Sequence, residues 1–253
     1  MHHMNDLDPL IVSLIGSVSL AAPIVSAIES GELEPEGAFA RFSGTCHALA
    51  PQWFNSNQLQ AHEAFWCFDD GAQIDQTISG ELAWFQTGVY TSSVALQSVP
   101  LLVHAAGEAV QQLGTSSFDS IRVQVPHARG GFGEEAIQQL VDQFSALANV
   151  RSAVEVHAQL MCRRHHNRWT SEATTWFDNT YLVPLALQNL EMAQDRVNLD
   201  NRWALRQTQS LCTAVFSAPE WSLSLASTIA VLMVEATRAT CTNGTVIVEV
   251  KRG

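Results

Sequence analysis

Two residues apart in the segment RSAVEVHAQL stand Glu155 and His157. If that segment is a strand, alternation puts both side chains on one face, where a carboxylate can fix the imidazole tautomer and the imidazole can move protons near neutral pH. The competing reading is a solvated strand face. Arg151 opens the same otherwise apolar segment. Its guanidinium could clamp a carboxylate through two parallel hydrogen bonds, or pair with a neighbouring glutamate. Arg122 and Gln124 alternate with Ile121, Val123 and Val125 in SIRVQVP, so a neighbouring strand could present them across from the Glu155–His157 pair. His127 and Arg129 sit in the loop HARGGFG, and His127 joins the substrate-binding set. The glycines of that loop invite a phosphate, but Glu134 and Glu135 in the first turn of the following helix repel one. The spacing also matches neither dinucleotide nor P-loop patterns.

Metal is not expected. His157, Cys162, His165 and His166 cluster in sequence, yet adjacent histidines on a strand point to opposite faces and no Asp or Glu stands close to the 162–166 stretch. His62 and Glu63 open a strand, while His104, inside an apolar helical stripe, reads as a core histidine. There is no G-x-S-x-G nucleophile elbow, and no cofactor is implied.

The elements that must hold these groups follow from periodicity. HEAFWCF, closed by Asp69-Asp70-Gly71, and ELAWFQTGVYT after Gly80 read as two strands of an antiparallel hairpin. Val99, Leu102, Val103, Ala106, Val110 and Leu113 form a helical stripe, with Ser98 as its cap and Pro100 in its first turn. The strand SIRVQVP, a helix over about 134–147 and the strand from 151 complete a β-β-α-β-α-β unit over 61–165. WALRQTQSLCTAVF, a helix capped by Ser217-Ala218-Pro219-Glu220 and buried on several sides, and TVIVEV make a partial β-α-β repeat within 166–253. Residues 1–60 read as an N-terminal helical segment, because Leu10, Ile11, Leu14, Ile15, Val18, Ala22 and Val25 recur at helical spacing in a helix kinked or ended near Pro23. The fold class is α+β, a mixed sheet with helices packed on one face.

Composition bounds the partners. The chain carries a net charge of −12, and Lys251 is its only lysine. Such a surface repels phosphate backbones, and the short cluster Arg163, Arg164, His165, His166, Arg168 is too small for a nucleic-acid groove, so nucleic acid is excluded as a partner. The Leu10–Ile28 stretch lacks a basic flank and is interrupted by Gly16, Pro23 and serines, which argues against a signal peptide or a membrane span. Five cysteines without C-x-x-C spacing suggest buried thiols in a reducing cytoplasm.

Three segments carry a resemblance. Gly80-Glu81-Leu82-Ala83-Trp84-Phe85-Gln86-Thr87-Gly88-Val89-Tyr90 ends in a Thr-Gly step. The helix to Gly114 is followed by Phe118-Asp119-Ser120-Ile121-Arg122-Val123. The third segment is Val150-Arg151-Ser152-Ala153-Val154-Glu155-Val156. Together they resemble the YjgF/RidA-like, chorismate-mutase-like fold group, with the pseudo-duplicated chorismatases as the nearer architectural analogue. Asn149-Val150 stands where the group's motif has Pro-Ala, and Met161-Cys162-Arg163-Arg164-His165-His166 replaces its leucine-proline step and acidic strand. The resemblance implies trimers with clefts between subunits. Arg151 would hold the substrate carboxylate there, and Thr87 and Tyr90 would line the pocket. The expectation is a cofactor-independent enzyme acting on a small carboxylate-bearing metabolite by acid/base chemistry, of lyase, hydrolase or isomerase type. Glu155 and His157 would be catalytic, and Arg151, Arg122, Tyr90, Thr87 and His127 would bind substrate. The alternative is a non-catalytic binding or assembly protein that forms a homo-oligomer through its apolar helix at 220–240.

Overall fold

A computed structural model describes residues 9–31, 37–66, 77–90, 96–126, 134–147, 153–162, 169–180, 182–192, 196–203, 207–239 and 244–253. The first element is a strand, β1 (Leu10–Leu20), and not the helix expected there. Nearly every residue of this segment is apolar or small, so helical and alternating spacings both fit. β-branched Ile11, Val12, Ile15 and Val18 tip the choice, because branched side chains pack well on a pleated surface. Pro23 lies in the first turn of the next element, α1 (Ala22–Glu29), so it begins a helix and does not kink one.

The chain continues through α2 (Ala38–Leu49), α3 (Pro51–Phe54), β2 (Leu59–Trp66), β3 (Thr77–Val89), α4 (Val99–Gln111) and β4 (Gly114–Val125). After α5 (Glu134–Leu147) come β5 (Val154–Cys162), α6 (Trp169–Asn179), β6 (Ala186–Met192), β7 (Arg196–Asn198), β8 (Gln207–Ala218), α7 (Leu223–Ala239) and β9 (Val246–Arg252). Ser98 precedes α4 without a side-chain cap. The cap of α7 is Ser222, whose Oγ accepts the Leu225 N–H at 3.2 Å, because the strand before it runs on through Ser217 and Ala218.

These strands form one nine-stranded sheet in the order β2-β3-β1-β4-β9-β5-β8-β6, with β7 also on β8. Every strand pair is antiparallel, so the sheet is not mixed. The order contains one pattern twice. β1, α2, β2, β3, α4 and β4 give β2-β3-β1-β4, and β5, α6, β6, β8, α7 and β9 give β6-β8-β5-β9. Each half is the ferredoxin-like β-α-β-β-α-β arrangement. The halves join edge to edge through β4 and β9, with Arg122 opposite Glu249 and Val123 opposite Val248. Sheet pairing therefore crosses residue 60, since β1 lies between β3 and β4, and β9 separates β4 from β5.

Helices cover one face. Val12 and Leu14, Ile121 and Val123, Val248 and Val250, Ala158 and Leu160, and Ala214 and Phe216 point beneath them and are buried. Full burial of each such aliphatic side chain contributes about 1.5–3 kcal/mol. α7 lies at the centre of this layer, against α4, α5 and α6 as well as the sheet, which is why it is apolar nearly all round. Gly107 of α4 lets the two halves approach, since a Cβ there would sit 2.4 Å from Leu223 Cδ1. Gly16 lies at a bulge where β1 slips against β4, and a Cβ would meet Ser117 O at 2.0 Å. No helix among the described residues is long and apolar enough to cross a membrane.

Candidate binding surface on the open face of the sheet

The opposite face carries the polar and aromatic partners of those alternating strands. One row runs across it in register from Phe65 through Trp84, Ser13, Arg122, Glu249 and Gln159 to Thr213. A second apolar cluster sits here, made of Ile11, Trp84, Met161, Trp203 and Ile247 with Phe65 and Leu199 against it. Leu199 and Trp203 come from the connection between β7 and β8, so a segment of the second half reaches over the sheet of the first.

That segment is held by two arginine–aromatic contacts. The Arg122 guanidinium lies 5.5 Å from the Trp203 ring centre, and the Arg202 guanidinium lies 5.7 Å from that of Trp84. Arg122 also donates to Glu249 Oε2 from Nε at 3.0 Å and from a terminal nitrogen at 2.7 Å. Arg202 donates to Glu81 Oε2 at 2.6 Å and to Asp200. Ser13 Oγ, fully buried, donates to the other oxygen of Glu81 at 2.6 Å. The hydrogen bond from Arg202 holds Asp200 below the usual carboxylate range, and the same bond raises Arg202 further above its ordinary value.

Beside this cluster a groove of about 470 Å³ is lined by Glu63, Phe65, Trp66, Glu81, Ala83, Trp84 and Arg202. The Phe65 and Trp84 rings stack at 6.5 Å with 21° between their planes. Three carboxylates (Glu63, Glu81, Asp200) stand against one guanidinium, so the groove and its rim carry an excess of negative charge.

No family model matches this chain, and no curated protein matches it. A solved structure titled "Cas6 (TTHB231) product complex" aligns over 93% of this chain and 94% of that chain, at 14% identity and a TM-score of 0.18. A superposition that poor transfers neither fold nor ligand.

The structure brings some of the expected site residues to this face and leaves others apart. Glu155 and His157 are on it, with Nε2 to Oε1 at 2.7 Å, as their spacing implied. The Glu155 side chain is 63% exposed, and neither residue lines a described pocket. Arg122 shares the face, but two strand spacings and two residues of rise set it roughly 12 Å from His157 along the backbone. Its charge is already met by Glu249. Thr87 is opposite Leu10 on the helix-covered side and is buried. Tyr90 is exposed beyond the end of β3, donating to Gln60 Oε1 at 2.7 Å with His62 Nε2 at 3.4 Å. Arg151 and His127 lie outside the described residues, as does the basic cluster at 163–168. His104 is exposed and lines a shallow groove with Arg41, Glu108 and Gln112, so it is not a core histidine. Among the described residues no three His, Cys, Asp or Glu side chains converge to hold a metal ion. Cys46 and Cys212 are buried thiols, and burial pushes Cys46 up to about 12.

The residues that make the groove escaped the sequence reading. Trp84 and Phe65 stand out in the sequence only as aromatic strand positions, Arg202 carries no motif, and Trp203 reads as the first residue of the strand WALRQTQSLCTAVF, whereas β8 begins at Gln207 and Trp203 packs over the sheet from the connection before it. The signal present was alternation. Trp84 and Gln86 share the face opposite Phe85 and Thr87, and a tryptophan on a strand's polar side marks a surface that something covers.

Proposed function

We propose that this chain is a non-catalytic binding protein that holds a cationic ligand in the groove over β2 and β3. One observation carries the reading: stacked Phe65 and Trp84 rings lie between Glu63 and Glu81 in a concavity of ligand size. Aromatic faces attract cations through their quadrupole, and flanking carboxylates add charge complementarity in a partly desolvated site. The net charge of −12 raises the local concentration of cations around the whole chain. Titration calorimetry with benzylamine and phenylguanidine tests this against benzoate of matched shape. The cations bind the wild-type chain and benzoate does not, and Glu63→Gln weakens the cations at least fivefold. Equal affinity for benzoate, or an unchanged Glu63→Gln variant, removes the proposal.

The 2.7 Å contact between Glu155 and His157 favours a second reading, acid/base chemistry on a carboxylate-bearing metabolite. Catalysis also requires a substrate held in attacking geometry and shielded from water. Arg151 would supply the carboxylate clamp and His127 would assist; Thr87 faces the helix layer, and Tyr90 and Arg122 stand away from the pair. Turnover of aromatic or keto acids that disappears in both Arg151→Ala and His157→Asn establishes this reading. Absence of turnover across that set counts against it.

A further inference from the structure

We infer that the groove over β2 and β3 is a guanidinium site, and that Arg202 is its resident intramolecular occupant, which an incoming guanidinium displaces. The inference rests on the binding reading above and names its ligand class. Every feature of the Arg202 environment matches a planar fork of donors. The flat Trp84 ring takes the face of the group at 5.7 Å. Glu81 Oε2 accepts from one terminal nitrogen at 2.6 Å, and Asp200 Oδ2 accepts from Nε at 3.0 Å and from the other terminal nitrogen. Ser13 Oγ engages the remaining Glu81 oxygen and so fixes which oxygen faces the groove. An ammonium offers no planar face and only a point charge, so this arrangement discriminates against it.

Arg202 is also placed to leave. It belongs to the 199–203 segment between β7 and β8, and it reaches the first half of the sheet only through side-chain contacts. Its side chain is 31% exposed, and that of Glu81 is 30% exposed, so water reaches the pair and can take up the donors that Arg202 releases. Phe65 and Glu63 continue the groove beyond the reach of the Arg202 contacts, which stop at Trp84, Glu81 and Asp200. A ligand guanidinium attached to a short apolar stem covers both rings, whereas Arg202 covers one. The same chemistry could come from a free guanidino compound or from an arginine within a chain.

The test compares wild type with Arg202→Gln, using ethylguanidinium, ethylammonium and the capped peptide acetyl-Gly-Arg-Gly-amide as probes. Vacating the site tightens ethylguanidinium at least fivefold over wild type, ethylammonium binds at least fivefold more weakly than ethylguanidinium, and adding Glu81→Gln abolishes the gain. Tighter binding of the peptide than of ethylguanidinium assigns the site to an arginine within a chain, and the reverse order assigns it to a free compound. A second measurement needs no variant of the site for binding. The Arg202 Nε–H resonance of the wild-type chain, assigned by its loss in Arg202→Lys, shifts on addition of ethylguanidinium. If cations bind wild type but Arg202→Gln binds them no more tightly and the resonance is still, the displacement inference fails while the groove stands. If no cation binds either protein, both fail.

Discussion

Trp84→Ala is the substitution that most directly weighs whether the 199–203 segment covers the sheet. Trp84 is only 8% exposed although it lies on the side opposite the helices. What buries it is Phe65 on the neighbouring strand, Ile11 beside it, and Trp203 and Arg202 from above. A tryptophan buries on the order of 150–250 Å², and at about 25 cal/mol per Å² that is about 4–6 kcal/mol before allowance for a compact unfolded chain. Truncating such a residue costs about 3–5 kcal/mol in comparable cores. Domains of ordinary stability have about 5–15 kcal/mol in all, so the variant should lose a large part of its margin. Urea unfolding followed by far-UV circular dichroism reads this without depending on the fluorescence of the deleted indole. Were the segment detached in solution, Trp84 would sit on an open strand face and its removal would cost about 0.5 kcal/mol. A measured loss below about 1 kcal/mol therefore refutes the covered-face geometry and the groove built on it.

Two further outcomes follow from the same fold. Gly16→Ala places a Cβ 2.0 Å from Ser117 O and 2.9 Å from Phe118 Cα, both backbone atoms of β4, so β1 or β4 must move. A loss of about 2–3 kcal/mol is expected by the same urea assay, and an unchanged midpoint contradicts the bulge. Asp200 is depressed below its ordinary value of 3.8 in the folded chain, chiefly by the Arg202 hydrogen bond. Because the folded value lies below the unfolded one, its contribution is present above about pH 3.8 and is lost as pH falls through the depressed value. The stability gap between wild type and Asp200→Asn is thus open at pH 6 and narrows below pH 3.8; a gap that widens on acidification reverses the sign and defeats the assignment.

Much of the element pattern was legible because alternation and helical stripes are local properties. The strands carrying Ile121-Arg122-Val123 and Val154-Glu155-Val156, the stripe of α4, and the unusually apolar α7 all read correctly from spacing, and so did the side shared by Glu155 and His157. β1 did not, since a segment that is apolar at nearly every position satisfies both periods and only its neighbours decide. The strand order was beyond local reasoning for a related cause: nothing in TVIVEV announces that it inserts between β4 and β5. The groove was hidden for the same reason. Trp84 and Arg202 lie more than a hundred residues apart in sequence, and only long-range pairing makes them neighbours.

The seam between the halves bears on the proposed preference of the open face for cations over a carboxylate. Arg122, which looked like an anion receptor on a polar strand face, stands directly across the β4–β9 junction from Glu249. The Arg122 and Glu249 side chains are 27% and 22% exposed, and a partly solvated pair of this kind contributes about 1 kcal/mol, so the junction is held mainly by the strand ladder and by the α4–α7 contact, and the pair chiefly neutralises Arg122. An anion approaching Arg122 must displace Glu249 and lift Trp203 from the guanidinium it covers. At the groove the balance is reversed: Glu81 and Asp200 share the single charge of Arg202, and Glu63 adds another carboxylate along the wall. A cation entering there meets surplus negative charge and the Phe65 ring, and reaches the Trp84 ring by displacing Arg202, whereas an anion meets a vacancy at neither arginine.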